Sequence, residues 1–270
     1  MRPAAVGRDA MLNPNALRVI GALVGRDLRR FFRQPSRVVG SVAQPLILWA
    51  ILGAGFADSF RAAGGAAGGD YLAYFFPGTI VLAMLFTAIF STMSVIDDRH
   101  HGFLQAVLVA PVSRPALVLG KTLGGVTIAM VQALAFIALA PLAGFSFAAM
   151  NLPLVLATLT LAALGFTALG FAVAWWIDST QGYHGIMSVA LIPLWMLSGA
   201  MFPATGSKGW VRLLMTVDPM TYAVSAVRRG LGGTHLLLDV GPSAGLELGV
   251  TALFAVLAII LAVAVCQRRA

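Results

Sequence analysis

Few residues in this 270-residue chain have the type and spacing to do chemistry. Gly120-Lys121-Thr122 has the ending of a phosphate-binding loop, where backbone N–H groups cradle phosphates and the lysine reaches them. That pattern needs a glycine five residues before Gly120, and Pro115 stands there. No strand-like run precedes it, so the match is chance. Lys121 instead reads as the cytoplasmic end of a membrane helix, its stem apolar and its charge at the headgroups. His100, His101, His184 and His235 are scattered, and no helix offers two histidines at i and i+4 to hold zinc. No Gly-x-Ser-x-Gly nucleophile elbow occurs, and the single Cys266 rules out an intramolecular disulfide. The expectation is a chain with no catalytic centre, cofactor or metal site of its own.

The elements that would carry such residues are of a different kind. Apolar residues make up 59% of the chain and charged ones 10%, whereas a soluble domain carries about 25% charged residues. Too few charges exist to wet a surface of this size, which makes the chain an integral membrane protein. The net charge is +8, and eight of the 18 basic residues precede residue 38. That lopsidedness is a topology signal rather than a nucleic-acid footprint. Six stretches are long enough to cross a bilayer, near 38–57, 72–96, 116–143, 152–177, 183–202 and 244–266. A cytoplasmic N-terminus places the eight N-terminal arginines, Arg99, Arg114, Lys121, Arg268 and Arg269 inside, 13 of the 18 basic residues. Six spans return the Arg-bearing C-terminus to the same side.

The chain divides into a cytoplasmic segment, 1–35, and a transmembrane domain, 36–270. Ala16 to Gln34 is too charged to cross. At about 100° per residue Arg18, Arg26, Arg29, Arg30 and Arg33 fall within an arc of about 120°. Leu17, Ile20, Val24, Leu28, Phe31 and Phe32 lie opposite, with Val19 and Leu23 off the pattern. This predicts an interfacial amphipathic helix, its apolar face in the acyl boundary and its arginines toward lipid phosphates. Arg29-Arg30-Phe31-Phe32 also looks like a twin-arginine export signal. The apolar run after it is longer than a signal's core and five more spans follow, so the segment is expected to stay attached.

Between their ends the spans are read as free of Asp, Glu, Lys and Arg. Proton-driven antiport or a charged channel ring would need such groups inside the membrane. Polar content is mild: Gln44, Thr79, Thr87, Ser91, Gln132, Thr158, Thr167, Ser188 and Ser198. Interhelical hydrogen bonding accounts for these, and a pathway lined by Gln44, Thr87, Ser91, Gln132 and Ser198 is the functional alternative. Trp175-Trp176, Trp195, Phe86 and Phe90 serve as belt and packing or as stacking surfaces. Any driving force has to come from elsewhere.

The stretch from Asp97 to Arg114 is the most informative. A charged cluster is followed by a short apolar helix, with Phe103, Ala106, Val107 and Ala110 on one face, ended by Pro111. Such a helix fits a partner's groove or lies on the membrane. Arg99-His100-His101-Gly102-Phe103-Leu104-Gln105, Leu108-Val109-Ala110-Pro111-Val112-Ser113-Arg114 and Leu119-Gly120-Lys121 resemble the permease subunit of ABC-2 type ABC transporters, in the drug-exporter-like branch. There the segments read Arg-Glu-x-Gly-Thr-Leu-Glu, Leu-Val-x-Pro-Val-x-Arg and Gly-Lys. His100 and Gln105 stand where the family has acids, so docking is implied but no salt bridge through those two positions. Ser198-Gly199-Ala200-Met201-Phe202-Pro203 and Asp218-Pro219-Met220-Thr221-Tyr222 with Arg228 resemble the family's Ser-Gly-x-x-Phe-Pro and Asn-Pro-hydrophobic-Thr-Tyr with a downstream arginine. Asp218 as cap and Pro219 at the first turn also predict a helix by themselves, at the outer face by the family pattern.

The resemblance implies an all-α, multi-pass protein of the cell inner (cytoplasmic) membrane, with an interfacial helix and a cytoplasmic coupling helix. It implies no activity of its own. A separate ABC ATPase dimer would bind ATP and magnesium and dock on Asp98, Arg99, His100, Gly102, Phe103, Leu104, Gln105, Val107, Pro111 and Arg114. A second permease subunit, identical or related, would complete an exporter of hydrophobic or amphipathic compounds by alternating access. Export of lipid or polysaccharide is the alternative within that class, and a non-transporting membrane scaffold the alternative outside it. The sidedness has a direct check. An Arg114→Cys variant is expected to react with a membrane-impermeant maleimide only after permeabilisation, and labelling in intact cells would reverse the topology.

Overall fold

The computed structural model describes residues 14–62, 71–109, 113–203, 207–232 and 243–268, and among them there is no strand. α1 (Pro14–Phe32) leads into α2 (Pro35–Ala62); α3 (Tyr71–Ser91) continues through a joint at Thr92 into α4 (Met93–His100). The short α5 (Phe103–Val109) precedes α6 (Arg114–Ala138), α7 (Leu152–Trp176) and α8 (Thr180–Trp195). Then come two short helices, α9 (Gly209–Val217) and α10 (Pro219–Gly230), and the last span, α11 (Ala244–Arg268). Six helices are long and apolar enough to cross a membrane, as expected: Val38–Phe56, Tyr71–His100, Arg114–Ala138, Leu152–Trp176, Thr180–Ala200 and Ala244–Arg268.

Two boundaries differ from the sequence expectation, each for a local reason. The second span runs on to His100, so Asp97 and Asp98 sit on a helix rather than in a break. Thr92 Oγ1 donates to Ile89 O at 2.6 Å and lies 2.7 Å from Tyr183 OH, which also donates to Ile89 O. These bonds bend the joint without breaking it. The third span stops at Ala138 rather than near 143, because a 3-10 turn over Ala140–Ala143 follows, closed by Gly144 at φ 85°. The glycine run 64–69 and Pro111 lie outside the described residues.

The core forms around α3, which is buried without interruption from Tyr74 to Leu85 and packs on α2, α6, α7 and α8. α2 is the edge of the bundle: 11% of its span is buried, against 67% for α3 and for α6. α1 corrects its expected placement. Rather than resting only on lipid, it lies along α6 in a groove made by Gly120 and Gly124. A Cβ on Gly120 would stand 2.7 Å from Leu23 Cδ1 and 3.4 Å from Ile20 Cα, and one on Gly124 would stand 3.4 Å from Asp27 Cβ. Leu23, off the amphipathic pattern, is therefore a main contact, while Leu17 and Phe32 stay exposed. Small residues one turn apart let two backbones approach closely, and dispersion contacts then hold them.

The opposite end is closed by α10, wedged among α3, α7 and α11. Asp218 caps it as predicted, accepting from Met220 N–H at 2.9 Å, with Pro219 in the first turn. Burial pushes the Asp218 carboxyl up to about 7, the cap bond opposing the shift, and its second oxygen has no partner among the described residues. Arg228 is fully buried. Its Nη2 donates to Gly199 O at 3.0 Å and Tyr74 O at 3.4 Å, and the guanidinium lies 4.5 Å over the Tyr74 ring. Burial lowers its pKa, with no carboxylate among these contacts to oppose the shift. The last span carries an acid after all. Glu247, 0% exposed, accepts from Arg229 Nε at 3.1 Å and Ser225 Oγ at 2.6 Å.

Two measurements follow from this packing. Gly120→Leu is expected to destabilise the protein by about 1–3 kcal/mol in a detergent melt by forcing α1 off α6, whereas Gly25→Ala, with open space at its Cβ, is expected to be neutral. Asp218 adds a pH dependence. Its folded value lies above its ordinary 3.8, so its contribution is fully present below about pH 4 and is lost as pH rises through about 7. Asp218→Asn keeps the cap without a charge, and is expected to flatten that slope and stabilise by on the order of 1 kcal/mol at pH 8.

Candidate functional site

The predicted coupling end is organised by a buried lysine. α6 presents Lys121 between Gly120 and Gly124, on the face where α1 sits, and the side chain is 3% exposed. It does not snorkel, as the sequence suggested. Its ammonium meets Asp98 Oδ2 of α4 at 2.5 Å and Asp27 Oδ2 of α1 at 3.1 Å, and donates to Ser94 Oγ at 3.2 Å. All three ammonium protons are used. Arg26 pairs with both Asp98 and Asp27, and Arg30 with Asp97 at 2.7 Å. Three cations thus face three carboxylates, and the cluster is neutral. Desolvation works to lower the Arg26 pKa, but the bonds and charges of Asp98 and Asp27 outweigh it, so the value is raised.

This cluster touches α5 at its start, where the Arg26 guanidinium lies 3.9 Å over the Phe103 ring. Gly102, at φ 74°, makes the reversal from α4 into α5 that a side chain would strain. The predicted coupling residues divide between inside and outside. Asp98 is in the cluster and Leu104 is 2% exposed. Arg99 turns inward to cap α7, donating to Trp175 O at 2.8 Å and pairing with Asp178. Arg114 donates to Gln267 O near the end of α11 at 2.7 Å. His100 and Gln105 are exposed, and Gly102, Phe103 and Val107 are half-buried. Of the five arginines on α1, Arg26 and Arg30 are taken into the cluster, leaving Arg18, Arg29 and Arg33 exposed.

A cavity of about 650 Å³ opens between α2, α3 and α8, with Phe31 of α1 at one edge. Gln44, Thr87 and Ser91 line it, as do Phe86, Phe90 and Trp195. Gln132 and Ser198, the other two pathway candidates, do not. Gln132 pins α6 to α2, with Ser41 Oγ donating to its Oε1 at 3.0 Å. Ser198 Oγ donates to Trp195 O at 2.6 Å inside the bend that ends α8. Both follow the interhelical hydrogen-bonding alternative. Sequence reasoning missed His184, whose ring stacks on Phe90 at 4.6 Å and 10° between planes in the cavity wall. The available signal was Ser188 four residues on, which shares its helix face and lies 3.4 Å away.

Comparison with known proteins joins these features. Residues 18–231 match the model of the ABC-2 type transporter family, a stretch that includes most of α1, the charge cluster, α5 and α10. The daunorubicin resistance ABC transporter permease protein DrrB1 of Streptomyces coeruleorubidus is 27% identical over 239 residues, which are 85% of this chain and 81% of that protein. The putative transport permease ycf38 of Cyanophora paradoxa is 24% identical over 213 residues, 76% of this chain and 71% of the relative. Its counterpart in Porphyra purpurea is 24% identical over 211 residues, 77% and 72%. With a helical bundle of six apolar spans and a family match over most of its length, this multi-pass membrane protein belongs to the ABC-2 type transporter family.

Proposed function

We propose that this chain is the membrane-spanning permease subunit of an ATP-driven exporter, working in the cell inner (cytoplasmic) membrane. A separate cytoplasmic ABC ATPase dimer binds ATP and magnesium, hydrolyses ATP and docks around α5. The observation that carries this reading is the contact from Phe103 to Arg26, and through Arg26 to Asp27, Asp98 and Lys121. It joins the docking helix to α1, α4 and α6 at once. α1 runs into α2 across Arg33 and Gln34, and α2 is a wall of the cavity. A push on α5 therefore has a stiff route to the cavity wall.

The compound exported is hydrophobic or amphipathic and passes through the cavity by alternating access. The cavity lies on the face where α2 and α8 leave Ile47, Ile51, Ile186 and Val189 exposed, and a second permease subunit covers that face. A docking-only scaffold would need no cavity of this size.

The docking surface is tested at its exposed edge. A photocrosslinker on Gln105→Cys is expected to capture the ATPase in native membranes, and the coupling role fails if none is caught. In proteoliposomes holding both subunits, Phe103→Leu removes the ring under Arg26 and is expected to cut ATP-dependent flux by roughly tenfold while ATP hydrolysis continues.

A further inference from the structure

The geometry points to a charge rule for the cargo: the cavity takes flat, uncharged aromatic compounds on the outer face of His184 and excludes organic cations. This rests on the reading of the cavity as the transport path. Its lining is aromatic and aliphatic with neutral hydroxyls, one amide and the His184 imidazole, and no Asp, Glu, Lys or Arg is among the described residues that line it. A cation entering it would leave water without meeting a counter-ion, and an unpaired charge in such surroundings is strongly disfavoured.

The nearest built acid is already committed. Asp27 lines a small recess that shares Phe31, Ser91 and Ile128 with the cavity, but its carboxylate is held by Lys121 and Arg26. Arg30 lines the same recess and is held by Asp97.

Aromatic faces can hold cations, and this is the strongest counter-argument. Here the faces are largely taken. Trp195 is buried, with Nε1 donating to Gly78 O at 2.9 Å, and one face of Phe90 is covered by His184. His184 is exposed and stacks one face on Phe90, and with no second ring stack among the described residues its other face is a platform for a flat ring. Ser188 and Gln44 offer hydrogen bonds to a neutral polar group at the ring's edge.

The test uses pyrenemethanol and pyrenemethylamine, matched flat probes, one uncharged and the other a cation at pH 7. Binding is read by pyrene fluorescence on the complete permease–ATPase complex in nanodiscs. The alcohol is expected to bind at least about tenfold more tightly than the amine. Equal binding, or a preference for the amine, overturns the rule. His184→Ala is expected to weaken the alcohol about fivefold and His184→Phe, which keeps the stack, to restore it; an unchanged His184→Ala removes the platform. Ser188→Asp supplies the missing counter-ion and should reverse the order of the two probes. Ser188→Trp, which narrows the cavity beside His184, separates the two levels of inference. If both probes bind that variant as before, the cavity is not the path; if binding is lost but the native order was wrong, only the charge rule falls.

Discussion

Burial of the Lys121 ammonium is the constraint from which the end of the bundle around α1, α4 and α6 is built. A charge with 3% of its residue exposed persists in an apolar bundle only if every proton finds an acceptor. The acceptors come from two other helices, Asp27 on α1 and Asp98 with Ser94 on α4. Their positions fix how α1 lies along α6 and how α4 is rotated. That rotation sends Asp97 to Arg30, Arg99 to the end of α7, and His100 outward. Gly120 and Gly124, on either side of the lysine, provide the close approach that brings Asp27 within reach. Loss of one partner from a buried pair costs about 3–5 kcal/mol, because the other charge is left uncompensated. The cluster therefore moves as a unit or not at all.

The opposite end, around α10, meets the same problem by different means. Arg228 has carbonyl oxygens and a tyrosine ring in place of a carboxylate, and these tie α10 to the start of α3 and the bend at Gly199. Glu247 and Arg229 close α11 on α10 one turn away. Two rigid ends are thus joined through the buried length of α3, and the flank between α2 and α8 is left open. A cavity there, with no Asp, Glu, Lys or Arg among its described lining residues and next to the least buried span, is the place where a bundle braced at both ends can still change shape.

Much of this was legible in the residues. Six apolar runs, the arginine arc on α1, the cap at Asp218-Pro219 and the short helix from Phe103 all follow from local periodicity and local hydrogen-bonding rules. The coupling helix and the outer helix could also be named from resemblance, and the family match spans both. Less legible were the partners. Lys121 looked like an interfacial lysine because a lone cation near a helix end usually reaches water. Asp27 on α1 carried no signal at all, since a single acid among five arginines reads as part of a solvated face. Leu23 broke the amphipathic pattern for the same reason it turned out to matter, as it faces α6 rather than lipid.

What the sequence by itself determined is what the solvent sets: a membrane chain, the number of its spans, its charge asymmetry and the cap at Asp218-Pro219. These depend on hydropathy and on neighbours within four residues, and both are written along the chain. Only the tertiary structure decided which polar groups are buried and against what. Asp27 meets Lys121 across 94 positions, and Arg26 meets Asp98 across 72. Pairings of that kind depend on how helices rotate and approach. In an apolar medium, where packing of small residues and a few charges sets rotation, hydropathy along one helix does not specify them.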